Sequence, residues 1–431
     1  MFDKINSDKN KAKERKSKME FSRRGFLGFG GSAALLAAAG CQTTGADVPR
    51  DADGKVIAGF DEAGNSHIDP KPWEPFSDKK VRVGIAGHGL CQFGCQFGYQ
   101  NHPNVEIVAC TDLDPAKCAE MQKALKAPRT FRSCEEMIKE MRGKMDAVYI
   151  ATDPPSHAPL AILAMENGMH AVSAVPAFWG DIQEEYAQKL VDTVKKTGMT
   201  YQMNETTAFR PQCFQMRALY EAGALGKLIY TEGEYWHHGT KPLGGYKGWR
   251  NFVAPQWYCT HGTGFYCAVT RHSFTRCSCL GVRSQYEAKN ALIGKPGNYG
   301  NVFGTEVALL ETSEGGIARM GRGGDTPSAI QETGRCLGTR GQYNEGYRGE
   351  ATEAELAKIR LLRPQLPPGV TPGWHGGSHG YLTDDFIRAI LLGKKPVVDV
   401  FCAVNLTLPG LYMHRSAMKD GEWMKIPHVR A

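Results

Sequence analysis

The chain has 431 residues, of which 42% are hydrophobic and 23% charged, with 50 glycines and 13 cysteines. This composition excludes a disordered tail, a fibrous protein and a small disulfide-stabilised domain, and the length predicts about two globular domains. Of the formal charge of +7, residues 1–24 contribute +5, from nine basic and four acidic side chains, which leaves +2 for the remainder. The chain after residue 24 is so close to neutral that it gives no reason to expect nucleic acid as a partner.

The first 41 residues have the pattern of an export signal. A charged region ends in the segment SRRGFL at residues 22–27, and a stretch rich in glycine and alanine follows at residues 28–39. This pattern resembles a twin-arginine signal, and residues 38–41, AAGC, resemble a lipoprotein cleavage site that would attach a lipidated Cys41 to the membrane. The apolar stretch is too short and glycine-rich for a stable membrane span. We expect a location in the periplasm or cell envelope, with any cofactor loaded before export.

The organised chain begins at residue 79, after a Pro-, Gly- and Asp-rich segment at 42–78 that is predicted to be a linker or arm. An apolar run at 81–86 leads into Gly87-His88-Gly89, a turn that lets pyrophosphate approach the backbone in dinucleotide-binding folds. Such a turn also occurs in ordinary strand-to-helix connections. A second apolar run ends in Asp112, 23 residues after Gly89. An acid at this position is expected on the adenosine ribose and favours NAD over NADP, whereas Asp114 is predicted to cap the next helix.

Further strands at 146–152 and 170–173 alternate with helical patterns that end at Gly168 and Gly198. This alternation predicts an α/β domain, a Rossmann NAD-binding domain with a parallel sheet over residues 79–200. Residues 201–431 contain strand-like runs separated by glycine-rich turns, at 228–235, 279–287, 305–311 and 317–321, and a helix at about 379–392. They predict a C-terminal α+β domain that has an open, mainly antiparallel sheet.

The remaining twelve cysteines have no metal-site spacing, since Cys91 and Cys95 are four apart and Cys277 and Cys279 two apart. We expect most of them to be small buried residues, and their spacing does not define a disulfide pairing. The four histidines at 237, 261, 375 and 379 also lack metal-ligand spacing, so no metal is predicted.

Several short motifs occur in a fixed order between residues 79 and 420. After the dinucleotide turn come YIATDPPSH at 149–157, GMHAVS at 168–173, ETTAFRP at 205–211, YCTH at 258–261, GGSH at 376–379 and DDF at 384–386. Together they resemble the glucose-fructose oxidoreductase/inositol dehydrogenase (Gfo/Idh/MocA) superfamily. The resemblance implies a Rossmann domain joined to an antiparallel-sheet domain that binds the substrate, here residues 201–431. It also implies NAD or NADP in the cleft, and sugars or cyclitols as substrates. It also assigns cofactor contacts to Gly87, Gly89, Leu90, Asp112, Thr152, Pro154, His157, Val175 and Pro176.

The segment after the fourth strand departs from the superfamily pattern. Dehydrogenases of this superfamily usually have Glu-Lys-Pro there, and the lysine helps to move the proton of the oxidised hydroxyl. This chain has Ala174-Val175-Pro176, and valine transfers no proton. The Val-Pro pair and the YCTH segment resemble the NAD-dependent glycosidases of the superfamily, including α-N-acetylgalactosaminidases. Because Ala174 replaces their glutamate, a sugar or cyclitol oxidoreductase and a non-catalytic sugar-binding relative stay open as alternatives.

The glycosidases that this chain resembles are understood to use a redox-neutral cycle. Tightly held NAD takes hydride from a ring hydroxyl, the neighbouring C–H becomes acidic, the glycosidic oxygen leaves by elimination, and water adds before hydride returns. A cycle that regenerates its cofactor suits an exported protein, which has no dependable pool of free NAD.

We expect His261 to be the catalytic acid/base, with Tyr258 as its partner, because imidazole titrates near neutral pH. His237, Arg250, Trp249 and His379 are predicted to bind the sugar or glycoside. Of the two histidines that flank Gly376-Gly377, we expect one in the cleft and the other at the surface. Superfamily members often pair through the exposed face of the antiparallel sheet, so a homo-oligomer is expected.

Overall fold

The computed structural model of the protein describes residues 72–429 except 238, 240, 328 and 329. The predicted export signal, the lipidation site at Cys41 and most of the 42–78 arm lie outside the described residues. Within the described part, we found no helix with the length and apolar character needed to cross a membrane. The twelve cysteines from Cys91 to Cys402 are free thiols, and ten of them are buried.

The N-terminal part contains a six-stranded parallel sheet. Its strands are β1 Val81–Ala86, β2 Val105–Thr111, β3 Thr130–Phe131, β4 Ala147–Ile150, β5 His170–Ser173 and β6 Tyr201–Met203. Their order is β3-β2-β1-β4-β5-β6, so the direction of winding reverses between β1 and β4. Doubly wound sheets bind ligands beside the carboxyl ends of the strands at this point. The predicted Rossmann sheet is confirmed, but it ends at Met203 in β6 rather than at residue 200.

Helices cover both faces of this sheet. They are α1 Phe93–Gln96, α2 Pro115–Leu125, α3 Cys134–Glu140, α4 Pro154–Glu166 and α5 Tyr186–Thr197. The Asp114 side chain accepts hydrogen bonds from the first backbone N–H groups of α2, which confirms the predicted cap. The glycine turn leads into α1, a single turn that begins after Gln92 and ends before Gly98, both with left-handed φ angles.

The C-terminal part contains an eight-stranded sheet. Its strands are β7 Leu228–His237, β8 Phe274–Arg283, β9 Phe303–Thr312, β10 Ile317–Gly323, β11 Ile330–Gly338, β12 Gly341–Tyr343, β13 Tyr347–Gly349 and β14 Met424–Lys425. The order is β13-β12-β11-β7-β10-β9-β8-β14. All neighbouring pairs are antiparallel except β7 and β10, which are parallel. The sheet is therefore mainly antiparallel, as predicted, although β8 begins five residues before the predicted run at 279.

Helices pack on one face of the second sheet. The helices of this part are α6 Pro211–Glu221, α7 Thr260–Thr270, α8 Glu287–Asn290, α9 Glu353–Leu356, α10 His379–Leu392 and α11 Val400–Ala417. Short 3₁₀ turns complete the described chain, at Tyr99–Asn101, Asp181–Gln183, Thr206–Phe209, Tyr246–Gly248 and Pro255–Tyr258. Helix α7 lies directly on β7, because Gly233 and Gly262 let the two backbones touch, and a Cβ on Gly233 would collide with the Gly262 carbonyl. This close approach brings the first turn of α7 over the buried face of β7.

Candidate functional site

A cleft of about 850 Å³ extends from the carboxyl ends of β1, β2 and β4 to the first turn of α7. We call the part lined by residues up to Val175 the Rossmann half. The rest is the sheet half, lined by Asn204, Thr206, Tyr235, His237, Gly245, Tyr246, Lys247, Trp249, Arg250, Tyr258, His261 and His375. The cleft therefore joins the predicted cofactor-binding turn to most of the predicted substrate and catalytic residues.

The glycine turn in the Rossmann half has the geometry that a dinucleotide requires. Gly87 has a φ of 100°, and a Cβ there would collide with the backbone of Ala151. A Cβ on the exposed Gly89 would meet no atom within 4 Å, so its backbone is open to a ligand. At the end of β2, the Asp112 carboxylate accepts hydrogen bonds from the backbone N–H of His88 at 2.6 Å and of Asp114 at 2.8 Å. An approachable backbone beside a fixed carboxylate fits the pyrophosphate and ribose of NAD.

The other predicted cofactor residues divide into two groups. Leu90, Thr152, Pro154, His157 and Val175 line the Rossmann half, as do Gly87, Gly89 and Asp112. Pro176 is not among the residues that line the cleft.

Although His157 lines the cleft, its ring nitrogens contact the protein backbone. Its Nδ1 donates to the Pro176 carbonyl at 2.7 Å, and its Nε2 lies 3.3 Å from the Thr152 carbonyl. Both ring nitrogens thus face backbone carbonyls. His157 therefore holds the loop after β4 against the loop after β5.

A buried charge cluster lies beneath the sheet half of the cleft. His261 Nδ1 donates to Glu205 Oε1 at 2.7 Å, and Glu205 has no exposed surface. Glu332 Oε1 lies 3.9 Å from the same nitrogen. Glu332 in turn accepts hydrogen bonds from the Thr207 hydroxyl at 2.6 Å and from the Arg210 guanidinium at 2.7 Å. Two carboxylates, one guanidinium and one imidazole balance when His261 is protonated.

The cluster sets the protonation of both members of the Glu205–His261 pair. Burial by itself would lower the pKa of His261, but the charges of Glu205 and Glu332 outweigh burial, and the pKa of His261 is raised. Burial would raise the pKa of Glu205, but His261 outweighs it, and the pKa of Glu205 is lowered. Because Nδ1 is held by Glu205, Nε2 is the ring nitrogen that His261 can offer to a substrate in the cleft.

Glu205, His261 and Glu332 also place three ligand-type atoms within 4.8 Å of one another, a spacing that suits a metal ion. In this structure, however, His261 is hydrogen bonded to Glu205, and Glu332 is paired with Arg210. A guanidinium in contact with one of the carboxylates opposes a second cation. We therefore interpret the cluster as a hydrogen-bonded charge network.

The two histidines of the segment HGGSH, residues 375–379, do not form the predicted pair of one cleft residue and one surface residue. His375 lines the cleft, whereas His379 is fully buried behind it, so neither is a surface residue and His379 is not a substrate contact. His379 Nδ1 donates to the Gln96 carbonyl at 3.2 Å, and His375 Nδ1 then donates to His379 Nε2 at 2.9 Å. Burial lowers the pKa of His375 to about 3 and that of His379 to about 4. Both are therefore neutral, and His375 keeps an unprotonated Nε2.

The remaining predicted substrate residues surround His261. The Tyr258 ring centroid lies 5.6 Å from that of His261, and burial raises the pKa of Tyr258, so its hydroxyl stays protonated. The Arg250 guanidinium lies 5.0 Å above the Trp249 ring and 5.5 Å above the Tyr258 ring. His237 lines the same end of the cleft, while the neighbouring His238 lies outside the described residues.

Comparison with known proteins identifies the family. The family model described as "Oxidoreductase family, NAD-binding Rossmann fold" (Gfo/Idh/MocA) matches residues 81–205. A "Glycosyl hydrolase family 109 protein" of Porphyromonas gingivalis is 30% identical over 341 residues, which cover 72% of this chain and 68% of the relative. The chain belongs to the Gfo/Idh/MocA family.

Two further proteins are similar to this chain, one in sequence and one in fold. A "Glycosyl hydrolase family 109 protein" of Streptomyces niveus is 26% identical over 394 residues, which cover 82% of this chain and 78% of the relative. The scyllo-inositol dehydrogenase of Lactobacillus casei, solved with NAD(H) and scyllo-inositol, shares the fold, with a TM-score of 0.61 at 14% identity. That match covers 80% of this chain and 99% of the dehydrogenase. The N-terminal domain is thus an NAD-binding Rossmann domain, and the relatives support an NAD-dependent carbohydrate enzyme.

The sequence patterns assign no role to Glu205 or Glu332. Glu205 belongs to the ETTAFRP motif, and in the structure it is the N-cap of the 3₁₀ turn Thr206–Phe209. Glu332 lies in β11 on the same side as Gly334 and Cys336, which are buried. A charged residue on the buried face of a strand is a signal that could have identified Glu332.

Proposed function

We propose that this protein is an NAD-dependent glycoside hydrolase that works by a redox-neutral cycle. The observation that carries the proposal is the buried Glu205–His261 pair, whose imidazole lines a cleft continuous with the cofactor-binding turn. A family member with Val175 in place of the usual lysine therefore still has a group that can move the proton of a substrate hydroxyl. The glycosyl hydrolase family 109 names of its relatives support hydrolysis as the outcome.

His261 is the proton-transfer group of this proposal. In its neutral form Nε2 accepts the proton of the sugar hydroxyl, and the resulting imidazolium is stabilised by Glu205 at 2.7 Å. Glu205 remains a carboxylate because His261 lowers its pKa. The same imidazolium returns its proton to the sugar oxygen at the end of the cycle. Glu205 thus positions the ring and favours the protonated state that each turnover passes through.

Two neighbours orient the sugar beside His261. Tyr258 keeps its proton because burial raises its pKa, so its hydroxyl serves as a hydrogen-bond donor to a sugar oxygen. His375 offers its unprotonated Nε2 as an acceptor for a sugar hydroxyl, and its low pKa makes it a poor base. Trp249 lines the cleft and adds apolar ring surface beside the sugar.

When bound, NAD supplies the hydride acceptor and then the hydride donor of the same turnover. The Rossmann half would hold it through Gly87, Gly89 and Asp112, in the geometry described above. We also propose that the protein is exported by the twin-arginine route, with the cofactor already bound. A carried and regenerated cofactor is consistent with that route.

A sugar oxidoreductase is the second candidate, because the matching family model is described as an oxidoreductase family. The two candidates differ in whether NADH accumulates. A hydrolase ends each turnover with its cofactor oxidised, whereas an oxidoreductase acting on a free sugar produces one NADH for each sugar oxidised.

The deciding experiment starts with protein purified without added nucleotide. The protein is denatured to identify the released cofactor, and native protein is assayed against α- and β-aryl glycosides in D₂O. We expect near-stoichiometric NAD, cleavage without added cofactor, and deuterium at the carbon beside the anomeric carbon. Net NADH formation from a free sugar without glycoside cleavage would establish the oxidoreductase instead. Turnover that the His261→Ala variant retains in full would contradict the assigned role of His261.

A further inference from the structure

The sheet half of the cleft continues into a small pocket of about 60 Å³. We call it the basic pocket, because its lining includes His237, Lys241, Arg250, Lys289 and Arg322. The basic pocket therefore has room for a compact anionic group such as a carboxylate or sulfate.

Arg322 is a charged group without a carboxylate partner in the described part of the protein. It lies on β10 opposite Glu306 of β9 and beside Tyr235 of β7. Its Nε is buried and makes no hydrogen bond among the described residues, and its guanidinium lies 5.1 Å above the Tyr235 ring. Glu306 is already engaged, since it accepts hydrogen bonds from His414 Nδ1 at 2.6 Å and from the backbone N–H of Gln256 at 2.8 Å.

Arg250 is the second such cation. Its guanidinium contacts the rings of Trp249 and Tyr258 and the Cys91 sulfur at 4.0 Å, and it pairs with no carboxylate in the described part of the protein. Burial lowers the pKa of Arg322, and the charge of Arg250 lowers it further. Lys289 differs from both, because Asp325 neutralises it at 2.5 Å. Two unpaired guanidinium groups close to one another are unfavourable until an anion binds between them.

Among the described residues, the carboxylates that line the cleft all lie in its Rossmann half. Asp112, Asp114, Glu135 and Asp153 line the Rossmann half, whereas no described Asp or Glu lines the sheet half or the basic pocket. A carboxylate only accepts hydrogen bonds, so it suits the hydroxyl groups of a neutral sugar. An arginine only donates them. Arginine instead matches the paired oxygens of a carboxylate or sulfate.

We propose that the substrate is an anionic glycoside whose carboxylate or sulfate group is bound in the basic pocket by Arg322 and Arg250. The inference rests on the proposed function, because it places the sugar ring between His261 and this pocket. The phosphates of the cofactor are also anions that arginine binds. Arg250 could reach them, because it lies near Cys91 in the segment that follows the glycine turn. Arg322 favours the substrate, since it lines the basic pocket together with Tyr258 and His237 and does not line the Rossmann half.

The test measures binding separately from turnover. Cofactor-loaded protein is titrated by calorimetry with glucuronate, galacturonate and glucose 6-sulfate, and with glucose, galactose and N-acetylgalactosamine as neutral probes. We expect at least one anionic probe to bind more tightly than its neutral counterpart. Arg322→Gln should weaken that probe by about tenfold or more, the value of a charged hydrogen bond. Arg322→Lys, which keeps the charge, should retain part of the affinity.

The control is Arg283→Gln, the same charge change at an exposed residue of β8 in the same sheet. It should leave the affinity of every probe unchanged. Thermal unfolding of each variant shows whether the fold is intact. Should Arg322→Gln not fold, the comparison of anionic and neutral probes on the wild type and on Arg322→Lys still decides the question.

Three results would overturn the inference. Neutral probes could bind as tightly as anionic ones, Arg322→Gln could leave anion affinity intact, or Arg322→Gln could lose its NAD on purification, which would assign the guanidinium to cofactor phosphate. Failure of the proposed function looks different. Anion binding without cleavage of any glycoside would support the basic pocket and contradict the proposed hydrolase. Cleavage of neutral glycosides alone would support the hydrolase and contradict the basic pocket.

Discussion

Glu205→Gln is the substitution that tests the buried pair most directly. Glutamine has the shape of glutamate, and its amide oxygen can still accept the hydrogen bond that His261 Nδ1 donates at 2.7 Å. The variant therefore removes the charge while it preserves the contact. The fold should survive, since Thr207 N can also still donate to the residue at position 205.

The size of the effect follows from the geometry. At 2.7 Å and an effective dielectric constant of about 20, the attraction between a carboxylate and an imidazolium is about 6 kcal/mol. The cost of burying both charges offsets part of this, and loss of one partner of a buried pair usually costs about 3–5 kcal/mol. If the imidazolium forms in the transition state, kcat/KM should fall by about 10²- to 10⁴-fold.

The pH dependence has a defined sign. Without the charge of Glu205, burial and the more distant Glu332 remain, so the pKa of His261 falls. His261 accepts the hydroxyl proton in its neutral form, and activity is lost as pH falls through its pKa. The acid limb of the kcat/KM profile should therefore shift to lower pH in Glu205→Gln, together with a lower plateau.

A second buried pair provides the matched control. Glu306 is also fully buried and accepts a hydrogen bond from His414 Nδ1 at 2.6 Å, but neither residue lines the cleft. Glu306→Gln should lower the unfolding temperature in a similar way and leave the acid limb in place. The reasoning is refuted if Glu205→Gln keeps more than about a tenth of wild-type kcat/KM with an unshifted acid limb.

Three further predictions concern the cofactor turn and the outer face of the sheet. Gly87→Ala should lower the free energy of unfolding by about 1–3 kcal/mol in urea titrations, because φ is 100° and the Cβ would collide with the backbone of Ala151, whereas Gly89→Ala, which has open space, should be nearly neutral. Asp112→Asn should reduce the NAD retained through purification by about tenfold and admit NADP, measured by chromatography of the released nucleotide. The hydrogen bond from Arg335 lowers the pKa of Glu232 to about 2, so its stabilisation is complete above its ordinary pKa of 4.5 and is lost as pH falls toward 2. Between pH 5 and pH 2, the unfolding temperature of Glu232→Gln should accordingly fall less than that of the wild type.

Local chemistry allowed much of the Rossmann domain to be predicted. The β-branched strands, the Asp114 cap and the Gly87 turn are each defined by neighbouring residues, and each lies where the sequence predicted. The helix His379–Leu392 was also predicted, from its apolar spacing and the glycine that ends it. Patterns of this kind need no knowledge of distant contacts.

Local sequence was not sufficient to predict the roles of the two histidines in the HGGSH segment. Its two histidines are four residues apart in the sequence, and nothing local distinguishes them. The structure does so through distant partners, because the Gln96 carbonyl and the Phe97 ring bury His379. His375 is thereby left facing the cleft, and the predicted substrate contact at His379 was wrong.

The sequence by itself predicted the Rossmann domain, the mainly antiparallel sheet, the cofactor turn and His261 as a candidate acid/base, because these depend on periodicity, turn chemistry and motifs along the chain. Only the tertiary structure decided what surrounds His261. Glu205 lies 56 residues before His261 and Glu332 lies in β11, and both reach His261 near the place where α7 packs on β7 through Gly233 and Gly262. The protonation of a buried imidazole depends on the charges within a few ångströms of it, and those distances are fixed by packing between distant segments.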